Sequence, residues 1–104
     1  MAKLRWQSLR RKIPNQITLS RSITFEIVWT DGFQDPNVMG ETRFEPNQIV
    51  IKKGMSNKET VKTYLHEVAH AYSDVYKMNL TETQVLNFEK GLYYLLKSGN
   101  ILKE

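Results

Sequence analysis

"TYLHEVAHAYSD", Thr63 to Asp74, carries both histidines of the chain, four residues apart, with a glutamate directly after the first. On a helix, residues i and i+4 project from one side, so His66 and His70 can reach one ion. Glu67 is turned about 100° from His66. It can lie beside that ion without binding it, placed to take the proton of a water that the metal activates. A lone histidine is more often a satisfied core residue, but the surrounding pattern argues against that here. Val61, Leu65, Val68, Ala69, Tyr72 and Tyr76 form the apolar stripe of this helix, and the histidines fall well away from it.

Outward from that stretch, Ser56 or Asn57 can cap a helix that starts near residue 58 and runs to about 77. After a short "MNL" connection, Thr81-Glu82-Thr83-Gln84 reads as a capping box that opens a second helix. That helix runs to about Lys97 and is ended by Ser98-Gly99-Asn100. Two long helices on so short a link pack antiparallel.

Upstream, "SITFEIVWT" (22–30) alternates Ile23, Phe25, Ile27 and Trp29 on one face and reads as a half-buried strand. "DGFQDPNVMG" (31–40) is a loop, and residues 41–53 read as a β-hairpin turning at Pro46-Asn47. The expected fold is α+β, a small antiparallel sheet packed on an antiparallel two-helix hairpin, over residues 21–104.

Residues 1–20 are read as a separate basic arm. Residues 1–25 hold Lys3, Arg5, Arg10, Arg11, Lys12 and Arg21 and no acid, so the net charge of +4 is concentrated there. Such an arm can touch nucleic acid or an acidic partner. It lacks the interleaved aromatics of a stacking platform, so a solvated tail is the plainer reading. At 104 residues, 40% hydrophobic and 25% charged, the composition is that of one small globular domain. No apolar run approaches the ~20 residues of a membrane span. The first twenty residues hold no continuous apolar stretch, so a secretory signal is not expected. There is no cysteine, which fits a reducing, cytoplasmic setting. It also means that any metal is held by imidazole and carboxylate, a set that suits zinc.

Catalytic zinc commonly takes three protein ligands, so a carboxylate must join the histidines. Asp74 lies one turn beyond His70, about 6 Å too far along the axis to share an ion. Glu82 and Glu89 remain, both on the apolar side of the second helix. If residue 77 sits opposite 81, Glu89 is level with His70 and Glu82 stays near the turn, which favours Glu89. A wide crossing angle would bring in Glu82 instead.

His66, Glu67 and His70, followed by Glu89 after eighteen residues, resemble the gluzincin pattern of zinc metallopeptidases. The order "GETRFEPNQIVIKKG", "TYLHEVAHA", "LTETQVLNFEKGLYYLLK" is also similar to small bacteriophage-encoded HExxH proteins. The resemblance spans roughly residues 20–100. It implies a zincin-like peptidase domain, with His66, His70 and Glu89 as zinc ligands and Glu67 as general base. The expected substrate is a protein or peptide, a host protein in the host cytoplasm if the chain is phage-encoded. Two departures stand out: no further domain closes one side of the cleft, and Tyr93 replaces an aspartate one turn after Glu89. In such enzymes an edge strand aligns the substrate backbone, and "QIVIKK" (48–53) is the candidate, its lysines guarding the edge. Tyr93, on Glu89's side of its helix, is the candidate hydroxyl for the oxyanion, although packing is the plainer role for an aromatic at that spacing. The rival expectation is a non-catalytic protein in which zinc braces the helices and the arm or sheet edge binds a partner.

Overall fold

The chain order is α1 (Trp6–Arg11), β1 (Gln16–Ser20), β2 (Ile23–Thr30), β3 (Gly40–Arg43), β4 (Gln48–Lys52), α2 (Asn57–Val75) and α3 (Glu82–Ser98) in the computed structural model, which describes residues 5–98. The class is α+β, as expected. Alternation in β2 places Phe25 and Ile27 in the core with Ile49 and Ile51 of β4, Leu19 of β1 and Ala71 of α2. The capping signals also hold. The Glu59 N–H donates to Ser56 Oγ at the start of α2. At α3 the Gln84 N–H donates to Thr81 Oγ1 while the Thr81 N–H donates to Gln84 Oε1, a reciprocal capping box. Gly99 and Asn100, expected to end α3, lie outside the described residues.

The sheet is mixed, not antiparallel. Its order is β1-β2-β4-β3, with β2 and β4 parallel and the outer strands antiparallel to their neighbours. The cause is in β4, where Ile49, Val50 and Ile51 are 0%, 1% and 0% exposed. A run apolar on both faces belongs in the middle of a sheet. The loop after β2 carries the chain to the far edge, β3 forms there, and β4 returns between β3 and β2.

Residues 6–20 are part of the fold, where a detached arm was expected. β1 makes a hairpin with β2 across Arg21-Ser22. On α1, Leu9 is buried against Val61 and Leu65 of α2, with Trp6 packed beside it. Arg10 donates to Asn57 Oδ1 and lies over the Trp29 ring. The basic residues of α1 thus decorate a packed helix. No helix among the described residues is long and apolar enough to cross a membrane.

Candidate metal centre and cleft

α2 lies across the sheet and presents His66 and His70 toward α3. Their ring centroids are 4.9 Å apart. His70 Nε2 is 2.6 Å from Glu82 Oε1, and His66 Nε2 is 3.4 Å from Glu82 Oε2. The other ring nitrogen of His66, Nδ1, is 3.0 Å from Glu89 Oε1. Among the described residues, donor atoms of His66, His70 and Glu82 all lie within 4.8 Å of one another. Two imidazoles and a carboxylate fit the three-ligand set of a catalytic zinc. Glu89 stands where an outer carboxylate fixes a ligand histidine's tautomer and ring direction. The side chain of Glu82 is 68% exposed and that of Glu89 only 9%.

This geometry reverses the order of preference between the two glutamates. Glu89 was expected level with His70 on a first helix running to about 77 with residue 77 opposite 81. Instead, α2 ends at Val75 and the chain doubles back. The Met78 N–H donates to the Ser73 carbonyl at 2.8 Å, and the Leu80 N–H donates to Ser73 Oγ at 3.0 Å. Lys77 and Asn79 make the reversal with φ of 55° and 54°. Leu80 is therefore held beside Ser73, and Glu82, two residues on, arrives beside His70. Asp74 is exposed and lines the cleft without joining the donor set, as its axial distance implied.

Glu67 is buried, and two features of β3 hold it. Thr42 Oγ1 lies 2.8 Å from Glu67 Oε1 and 3.0 Å from the Glu67 carbonyl, so its hydroxyl can donate to either. Gly40 permits the close approach: a Cβ there would stand 2.5 Å from Thr63 Cγ2 and 3.1 Å from Glu67 Cγ. Neither residue was singled out from sequence. A glycine beginning a strand was the one available signal, since such a residue often marks a close backbone approach.

Two clefts, of about 680 and 480 Å³, meet at Gly40, His66 and Glu67. The larger is lined also by Thr42, Phe44, His70 and Glu82, the smaller by Met39, Thr63, Leu86 and Glu89. The strand beside them is β3. Of residues 48–53, expected to be the edge, Gln48–Lys52 form the interior strand β4, so Lys52 and Lys53 guard no free edge. The Lys52 N–H donates to the Met39 carbonyl. With the β3–β4 register, this turns the N–H and C=O of Glu41 and Arg43 toward β4. Those of Gly40 and Thr42 point away from the sheet.

Tyr93 is elsewhere. Its ring stacks on Trp6 with centroids 4.5 Å apart and planes at 12°, and Lys97 Nζ donates to its hydroxyl. It lines neither cleft, so an oxyanion role does not fit: α1 covers that part of α3. Tyr64 of α2 packs against both core clusters, and burial raises its pKa above the usual 10.0. Comparison with known proteins finds no matching family model, no similar curated protein and no matching solved structure.

Proposed function

We propose that the protein is a zinc-dependent peptidase whose metal is held by His66, His70 and Glu82. The observation that carries this reading is the convergence of a ring nitrogen from each histidine and the Glu82 carboxylate within 4.8 Å, beside a buried Glu67 at the junction of two clefts. Bound zinc supplies a Lewis acid that polarises the scissile carbonyl and makes water nucleophilic near neutral pH. Glu67 takes the water's proton and returns it to the leaving amine. Thr42, by donating to one carboxylate oxygen, leaves the other for this transfer. Glu89 fixes the ring of His66.

An extended peptide is the fitting substrate. The outward N–H and C=O groups of Gly40 and Thr42 can pair with its backbone, adding a strand to β3. Clefts on both sides of His66 and Glu67 leave room for side chains before and after the cleaved bond, which fits an internal peptide bond. A host protein remains the proposed source of that peptide if the chain is phage-encoded. Calorimetric titration of metal-free protein with zinc, followed by a peptide-library cleavage assay with wild type and Glu67→Gln, tests the reading. Zinc uptake near one ion per chain with cleavage by wild type alone is the expected result. No uptake, or equal cleavage by both proteins, overturns it.

A further inference from the structure

On the reading that His66, His70 and Glu82 hold zinc, we infer that Ser73 is a positioning residue that places Glu82 in the donor set. Ser73 stands seven residues after His66 and three after His70, so it continues the histidine row along one side of α2. It is polar and only 8% exposed, which on a helix facing a neighbour calls for a partner. Its partner is the chain returning toward α3.

Two bonds leave this residue, and they do different work. The Ser73 carbonyl accepts from the Met78 N–H while the Asp74 carbonyl accepts from the Lys77 N–H, with Lys77 left-handed. That pair is the ordinary Schellman closure of a helix C-terminus and needs no side chain at position 73. The side-chain bond is additional. Ser73 Oγ accepts from the Leu80 N–H at 3.0 Å, two residues before Glu82. It acts on the segment that enters α3 and not on the end of α2.

Glu82 depends on that tether because its own side chain is largely solvent-exposed and packs against little. Its carboxylate reaches both Nε2 atoms because its backbone begins beside His70. With Leu80 released, the first turn of α3 keeps its capping box but loses its register against α2. Glu89, about two turns further along, is buried and is held by packing as well as by His66. Glu82 is therefore the ligand that loss of the Ser73 tether removes.

Zinc titration calorimetry on four proteins tests this: wild type, Ser73→Ala, Glu82→Ala and the double variant. Ser73→Ala is expected to weaken zinc binding about 10-fold, the low end of what loss of an outer-shell partner costs. In the Glu82→Ala background the same change is expected to do nothing. Ser73→Thr, which keeps the hydroxyl, restores wild-type affinity. A second readout is the visible spectrum of the cobalt-substituted protein, where Ser73→Ala should shift toward the spectrum of Glu82→Ala. Thermal melts establish folding, and Ser73→Cys, similar in size with a weak acceptor, serves should Ser73→Ala not fold. Equal zinc losses with and without Glu82, or no loss at all, overturn the role of Ser73 while leaving the zinc site standing. Failure of the wild type to take up zinc overturns both.

Discussion

The α2–α3 pair has two ends built from the same two helices, and they differ in what covers them. At one end α1 closes the pair: Trp6 stacks on Tyr93, and Leu9 packs with Val61 and Leu65. At the other end, His66, His70, Glu82 and Glu89 face each other beside two open clefts. Glu89 and Tyr93 are one turn apart on one helix, yet one meets a histidine and the other an indole. Helical spacing brings a residue to the α2–α3 seam, and a third element decides whether it meets chemistry or packing there.

The largest expected effect breaks the open end's chemistry and leaves the closed end alone. Glu67→Gln should keep the fold and the zinc but lose peptide cleavage by roughly 10²–10⁴-fold, the usual worth of general-base catalysis. Single-turnover assays with zinc-loaded protein read this. Retained turnover would remove Glu67 from the mechanism. Next in size are the two glutamates. On the proposed reading, Glu82→Ala should weaken zinc binding more than Glu89→Ala, because the first would remove a ligand. The second removes an outer partner worth roughly 10–100-fold. The opposite order in calorimetry would return Glu89 to the metal.

At the closed end the effects are on stability. Trp6→Ala should destabilise the protein by about 1–3 kcal/mol, from lost burial and lost stacking on Tyr93, with zinc affinity unchanged. Tyr93→Phe keeps the stack and should leave cleavage untouched. A drop in turnover with Tyr93→Phe would bring its hydroxyl back into the site. Urea melts and kinetics separate these outcomes.

What could be read from the chain follows the same division. The histidine pair, Ser56 and the Thr81–Gln84 box are local, with partners within four residues, and they were legible. The choice between the glutamates was not, because it turns on a reversal at Lys77 and Asn79. Neither is a glycine; Asn79 is a residue type that tolerates left-handed backbone, but Lys77, which closes α2, carries no such flag. The interior position of β4 was visible in Ile49-Val50-Ile51, but the two lysines that follow read more strongly as an edge signal. Trp6 and Leu9 have the i, i+3 spacing of a packed helix, masked by the arginines around them. Thr42 and Gly40 act across the β3–α2 contact, of which the glycine at the start of β3 was the only local hint.

The smallest expected effect probes the core behind the site through Tyr64, which packs against both core clusters. Burial raises its pKa above 10.0, because the charged phenolate is poorly solvated there. With the folded value above the unfolded one, the stabilising contribution is fully present below about pH 10 and is lost as pH rises through the folded value. Between those points the unfolded chain releases a proton that the folded chain retains. Tyr64→Phe has nothing to release, so its stability should decline less steeply over that window than the wild type's. Neither protein should differ in zinc uptake at neutral pH, since Tyr64 lines neither cleft. Denaturant melts from pH 9 upward measure the difference in slope. Parallel slopes would show that Tyr64 is as well solvated folded as unfolded, and a change in zinc affinity would couple the core to the metal centre.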